Sequence, residues 1–139
     1  MARYSKIMAP VDLKHADTLD KAIATAADLA KTYDATLTLV GVTAPQPGET
    51  SRTVDEYKRA LSDFAAKHGE KTGVEISSKA VVKSDPLRDL DEALEETVEE
   101  DGFDLIVMAS HTPTFADHLL SSNAGYLASH TSASVFIVR

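Results

Sequence analysis

Residues 103–109 read FDLIVMA, an almost continuous apolar run that follows Gly102 and precedes a polar loop. Runs of this kind are typical of strands that are covered on both faces. Such strands occur mainly in parallel sheets with helices on each side. The stretch therefore predicts a central strand of a parallel sheet.

The segments around this run alternate between strand-like and helix-like patterns. Further strands are predicted at 6–9, 36–42, 74–82 and 133–139, and helices at about 17–33, 53–68, 85–102 and 118–130. Five strands alternating with four helices in 139 residues predict one domain over 1–139. Its fold class is α/β, with an open, mainly parallel, Rossmann-like sheet and helices on both faces.

Local signals predict where several helices begin. Asp17 is the expected N-cap of the first helix. Thr53 and Glu56 have the spacing of a capping box at the start of the second. Asp85 followed by Pro86 predicts the start of the third, because Asp can cap a helix and Pro is pre-set for its first turn.

Apolar spacing predicts the buried faces. The acidic run at 91–101 is interpreted as the solvated face of the third helix. The alternation at 74–82 predicts an edge strand with one wetter face. Three groups of residues are expected to point inward: Leu19, Ile23, Ala26 or Ala27, and Ala30 in the first helix; Leu87, Leu90, Leu94 and Val98 in the third; and Leu119 or Leu120, Ala124, Leu127 and Ala128 in the fourth.

Composition excludes several classes of function. The net charge is −8, from 14 basic and 22 acidic residues, which disfavours nucleic acid as a partner. The absence of cysteine excludes disulfides, thiolate catalysis and thiolate metal sites. No apolar tract reaches the roughly 20 residues of a membrane helix, and the first residues do not form a secretory signal. We therefore expect a cytoplasmic protein that is not inserted in a membrane.

Four short segments together carry a family resemblance. They are APVD at 9–12, IVMASH at 106–111, LLSSNA at 119–124 and VFIVR at 135–139. The chain resembles the universal stress protein (UspA-like) family over nearly its whole length, and its pattern ASH-x-P…LL-x-SNA…VR resembles the branch labelled universal stress protein F or G. The resemblance implies an adenine nucleotide alpha hydrolase-like sheet in the order 3-2-1-4-5 and a homodimer formed through the C-terminal strand.

The resemblance also implies ATP, with or without Mg²⁺, between the first and fourth strands. The family signature is Gly, two residues, Gly, nine residues, then Gly followed by Ser or Thr. The matching positions here are Ala109, Thr112 and, after eight residues, Ser121 followed by Ser122. By resemblance, the residues expected to contact the nucleotide are Pro10, Val11, Asp12, Val42, Met108, Ala109, His111, Thr112, Ser121, Ser122, Asn123 and Ala124.

Several of these residues have a second interpretation. Asp12 contacts either a ligand or the start of the first helix as a cap. Residues 121–123 either cap a helix or, at a helix N-terminus, direct N–H groups and hydroxyls at a phosphate. His111 either contacts a nucleotide or holds its own loop. His15, His68 and His130 are expected at the surface, and no catalytic set or protein metal site can be assembled.

The sequence thus favours a cytoplasmic, homodimeric, ATP-binding stress-response regulator rather than an enzyme. A partner protein of unknown identity would complete that role. The alternative is a nucleotide-free interaction module with a degenerate phosphate loop.

Overall fold

The computed structural model describes residues 3–45, 53–109 and 115–139, with the backbone alone for 115–122. The strands are β1 (Lys6–Pro10), β2 (Thr36–Thr43), β3 (Ile76–Val82), β4 (Leu105–Ala109) and β5 (Ser134–Val138). The α-helices are α1 (Asp20–Tyr33), α2 (Val54–Thr72), α3 (Leu90–Asp101) and α4 (Phe115–His130). A 3-10 helix, Leu13–Thr18, lies between β1 and α1.

The five strands form one parallel sheet in the order β3-β2-β1-β4-β5, which confirms the predicted fold class and strand order. All residues of β4 are buried, as its apolar run predicts. The edge position predicted for β3 is also confirmed.

Two apolar cores lie on opposite faces of the sheet because successive side chains of each strand point to opposite faces. On one face, Ile7 and Leu105 pack with the buried side of α1 and with Leu61 of α2. On the other, Met8 and Ile106 pack with residues of α3 and α4. The strands are therefore covered on both sides, and only their ends and the two sheet edges meet solvent.

The second helix starts where the sequence predicts. Thr53 Oγ1 accepts from Glu56 N at 3.2 Å, and Glu56 Oε1 accepts from Thr53 N at 3.4 Å, which completes the capping box. The helix ends at Gly73, whose φ of 75° lies in the left-handed region that favours glycine.

The predicted start of the first helix is wrong. Asp17 lies inside the 3-10 helix, and α1 begins at Asp20 after Leu19, which makes no side-chain capping bond. The 3-10 helix is capped instead by Asp12. An Asp can cap whichever turn follows it, so the sequence alone does not select between these two positions.

The predicted start of the third helix is also wrong by several residues. Asp85 begins a separate turn, in which its carbonyl accepts from Asp89 N at 2.8 Å. Asp89, at φ −95° and ψ 8°, interrupts the helical path, and α3 begins only at Leu90. Leu87 is consequently 87% exposed rather than buried, whereas Leu94 and Val98 are in the core as predicted.

The buried face of α4 is partly as predicted. Ala124 and Leu127 are buried, but Ala128 is exposed. Leu119 and Leu120 have side chains outside the described part of the chain. His68 contradicts its predicted surface position, because it is only 4% exposed where α2 packs toward α1.

Candidate functional site

Strands β1 and β4 stop pairing before they reach the carboxyl edge of the sheet, and the gap between their ends is called the β1–β4 cleft. On its outer side, β1 pairs with β2 through Pro10 and Val40. Likewise, β4 pairs with β5 through Ala109 and Val138. Between β1 and β4, pairing ends at Met8 and Ile106, although β1 continues to Pro10 and β4 to Ala109. The strand order reverses at this point, where ligands bind in open α/β sheets.

Four predicted site residues border this cleft on the strands themselves or directly after them. Pro10 is half-buried, and Val11 is 8% exposed. Met108 and Ala109 are 3% and 7% exposed. The side chains of Val11 and Ala109 belong to the α1–α2 core, and that of Met108 belongs to the α3–α4 core. These residues would therefore meet a ligand mainly with backbone groups.

Asp12 lies at the end of β1 with its side chain 59% exposed. One carboxylate oxygen accepts from Lys14 N at 3.0 Å, and the other is 3.0 Å from His15 Nδ1. The capping interpretation is thus realised in the structure. A carboxylate oxygen has two lone pairs, so Asp12 retains acceptor capacity.

Val42 lies near the carboxyl end of β2, half-buried against the α3–α4 core. Next to it, Tyr57 of α2 covers Gly41 so closely that a Cβ at Gly41 would lie 2.1 Å from the Tyr57 hydroxyl oxygen. The aromatic side chain of Tyr57 therefore closes the α1–α2 side of this strand end. Sequence reasoning did not select Tyr57 for the site, because its proximity to Gly41 depends on tertiary packing.

The expectation that residues 121–123 lie at a helix N-terminus is wrong. Helix α4 begins at Phe115, so these residues lie beyond its first turn. The four unpaired N–H groups of an α-helix belong to its first turn, and those of 121–123 are therefore used within the helix. Ala124 is 3% exposed and faces the α3–α4 core, whereas Asn123 is half-buried.

Other predicted contacts lie outside the described residues. His111 and Thr112 belong to the undescribed segment 110–114. Ser121 and Ser122 are placed by their backbone alone. Their roles remain predictions.

Cations near the carboxyl edge of the sheet differ in their partners. Lys83 lies 2.9 Å from Glu96, and this hydrogen bond raises the pKa of Lys83 and lowers that of Glu96. Arg88 lies 3.2 Å from Asp89. Lys21, which sequence reasoning did not select, donates to the main-chain oxygen of Arg139, the last residue of the sequence, at 2.7 Å. In the sequence, Lys21 is marked only by its position in the first turn of the helix that follows β1.

Among the described residues, no three His, Asp or Glu side chains come together as a metal site would require. None of the helices described is both long enough and apolar enough to cross a membrane.

Comparison with solved structures finds the same fold in universal stress proteins. One, in complex with cAMP, is 25% identical, with a TM-score of 0.72 over 98% of this chain and 97% of that one. Another, from Archaeoglobus fulgidus in complex with dAMP, is 20% identical, with a TM-score of 0.66 over 98% of both chains. A third, from Arabidopsis thaliana with AMP bound, is 13% identical, with a TM-score of 0.64 over 96% of this chain and 90% of that one.

Comparison with curated protein sequences finds no match. The model of the universal stress protein family matches residues 3–139. The chain therefore belongs to the universal stress protein family.

Proposed function

We propose that this universal stress protein binds an adenine nucleotide in the cleft between β1 and β4. The observation that carries the proposal is the early end of β1–β4 pairing at Met8 and Ile106, at the point where strand order reverses. Backbone groups of two adjacent strand ends are left without a strand partner there. The family member in complex with cAMP, at 25% identity, supports an adenine nucleotide as the ligand.

The ligand would lie across the carboxyl ends of three strands. Adenine would rest near Val42 and Asp12, the ribose and phosphates would cross 108–112, and the terminal phosphates would approach the hydroxyls at 121–122. ATP, with or without Mg²⁺, is the proposed physiological form. Because helix α4 begins at Phe115, the hydroxyl side chains rather than the backbone N–H groups of 121–122 would make these contacts.

The proposed role is regulatory rather than enzymatic. Bound nucleotide would change the affinity of the protein for a partner, which requires that the nucleotide bind two states with different affinities. We also propose a cytoplasmic homodimer of the F or G branch that pairs through β5. The exposed apolar residues Phe136 (43%) and Ile137 (49%) on this edge strand support that interface, because an open apolar edge favours pairing.

A second candidate is a nucleotide-free interaction module. The position of residues 121–123 inside α4 favours it, because the backbone donors expected for a phosphate are used within the helix. In that case the exposed β5 edge, rather than a ligand, would carry the function.

Calorimetric titration of nucleotide-stripped protein with ATP and Mg²⁺, AMP and adenosine separates the two candidates. The matched variants are Asp12→Asn, which keeps a capping oxygen, and Asp17→Asn, an exposed Asp of the same 3-10 helix. Saturable binding by wild type and Asp17→Asn, weakened about tenfold in Asp12→Asn, supports the nucleotide site. Absence of heat and of a thermal shift with millimolar ATP would leave the nucleotide-free module.

A further inference from the structure

Helix α2 packs on the domain through a narrow buried stripe. Of its 19 residues, all of which the structure describes, only Leu61, Ala65 and His68 are buried. Leu61 and Ala65 belong to the α1–α2 core. Beyond Ala65, His68 is the one buried residue of the helix before its end at Thr72. The carboxyl-terminal part of α2 therefore rests on one fully buried side chain, and that side chain can ionise.

The imidazole of His68 lies where α2 packs toward α1. It is 4% exposed, and its ring centroid lies 4.5 Å from that of Phe64, one turn earlier in the helix. Its Nε2 is 3.7 Å from Oδ1 of Asp20, the first residue of α1. This distance is too long for a hydrogen bond. Asp20 is itself exposed, so solvent weakens its attraction for a charged imidazole.

The charges around His68 do not compensate for its burial. Burial has the largest effect and lowers the pKa of His68, while Asp20 of α1 raises it and Lys71 and Lys67 of α2 lower it. Lys71 Nζ also lies 4.0 Å from Oδ1 of Asp20 and so competes with His68 for this carboxylate. The buried position therefore favours the neutral imidazole. His68 gains a proton more readily once this part of α2 has moved away from α1.

We propose that residues 66–72 of α2 form an acid-sensitive segment that opens locally when His68 takes up a proton. Protonation in place would bury a charge whose partner, Asp20, is exposed and not hydrogen-bonded to it. Segments with few buried contacts open at a lower free energy than the whole domain. This inference does not depend on the proposed nucleotide site.

The opening would uncover the start of the edge strand β3. Gly69 lies against this part of the chain, because a Cβ at Gly69 would be 3.0 Å from Val74 O and 3.8 Å from Ile76 N. Val74 and Ile76 are half-buried against the α1–α2 core. Movement of residues 66–72 would therefore expose apolar side chains at one edge of the sheet when the pH falls.

Hydrogen–deuterium exchange of the full chain at pH 7 and pH 5, corrected for the intrinsic pH dependence of exchange, tests the proposal. The opening equilibrium constant of residues 66–72 should rise by up to about 30-fold at pH 5, the limit set by an ordinary His pKa of about 6.5 in the opened state. Amides of β4 should stay protected while those of 66–72 exchange. His68→Gln should lose the pH effect. His130→Gln, which changes an exposed histidine at the end of α4, should keep it.

Two charge variants should change the pH effect in opposite directions. Asp20→Asn removes an attraction for protonated His68 and should enlarge the effect about twofold, whereas Lys71→Gln removes a repulsion and should reduce it about twofold. Asp28→Asn and Lys58→Gln, at exposed positions of the same two helices, should match wild type.

Three results would overturn the inference. One is an opening equilibrium that is the same at pH 7 and pH 5. The second is a pH effect that persists in His68→Gln or that changes in the same direction in Asp20→Asn and Lys71→Gln. The third is exchange of β4 together with residues 66–72, because the whole domain would then be unfolding.

Discussion

Strand β1 has two neighbours, and the contacts on its two sides differ. Toward β2, pairing extends along all of β1, from Lys6 with Thr36 to Pro10 with Val40. Toward β4, pairing ends at Met8 with Ile106. The first side is closed by backbone hydrogen bonds, whereas the second leaves polar backbone groups beside a cleft. Stability is therefore expected to depend on the closed side, and ligand binding on the open side.

The largest expected effect is on the closed side. Leu39 pairs with Ala9 across it and is 0% exposed. Leu39→Ala should lower the free energy of unfolding by about 2–5 kcal/mol, because it leaves a cavity in the α1–α2 core. Urea denaturation measures this loss. The folded fraction of the variant should still bind AMP. A loss below about 1 kcal/mol would contradict the view that stability depends on the β1–β2 side.

An intermediate loss of stability is expected at Asp12, which lies between β1 and the 3-10 helix. Asp12→Ala removes the oxygen that accepts from Lys14 N and caps the 3-10 helix. It should lower the free energy of unfolding by about 1 kcal/mol, and Asp12→Asn by only a few tenths. Thermal denaturation without ligand compares the stability of the two variants. Equal losses in both would show that the carboxylate charge, rather than the cap, stabilises this turn.

A pH effect is expected where α2 packs toward α1. Burial lowers the pKa of His68, Lys71 and Lys67 lower it further, and Asp20 opposes them. The unfolded chain, with an ordinary His pKa of about 6.5, then takes up a proton before the folded chain does. The free energy of unfolding should therefore fall as pH drops below about 6.5. The contribution of His68 to this fall should end once the pH is below the folded-state pKa of His68.

Melting curves of wild type and His68→Gln between pH 5 and 8 measure this contribution. The slope of melting temperature against pH should be shallower in the variant. An unchanged slope would mean that His68 does not titrate differently in the folded and unfolded states.

The smallest effect is expected at Leu87, which lies before α3 and is 87% exposed. Leu87→Ser should change the free energy of unfolding by less than about 0.5 kcal/mol and leave AMP binding unchanged. Chemical denaturation measures the change. If the free energy of unfolding fell by about 2 kcal/mol or more, Leu87 would be buried, as its spacing in the sequence predicts.

The sequence predicted those features that depend on local signals. The apolar run of β4 and the capping box of Thr53 each act within a few residues, and both predictions were correct. The strand order came from family resemblance, because alternation of strands and helices does not determine it.

The errors occurred where distant elements decide the outcome. His68 is buried by packing between helices, which no local pattern encodes. Leu87 fits a helical stripe, but the break at Asp89 separates it from α3. Likewise, Asp17 and Asp12 are equivalent as capping residues until the 3-10 helix is placed.

The strand ends that would carry the candidate site lie where the sequence placed them, whereas the binding site itself stays a prediction. Val11, Asp12, Met108 and Ala109 lie at or directly after the ends of β1 and β4. The extent of β1–β4 pairing and the contact of Lys21 with Arg139 required the three-dimensional structure. Both depend on residues far apart in the chain.

The most direct test is the change in backbone amide NMR signals when AMP is added to nucleotide-free protein. The account predicts saturable shifts at Val11, Asp12, Met108 and Ala109, which border the cleft. The signals of Leu37 and Ile76, which pair at the amino ends of β2 and β3, should remain unchanged. Shifts confined to other parts of the sheet, or none at millimolar AMP, would contradict the assignment of the β1–β4 cleft as the nucleotide site.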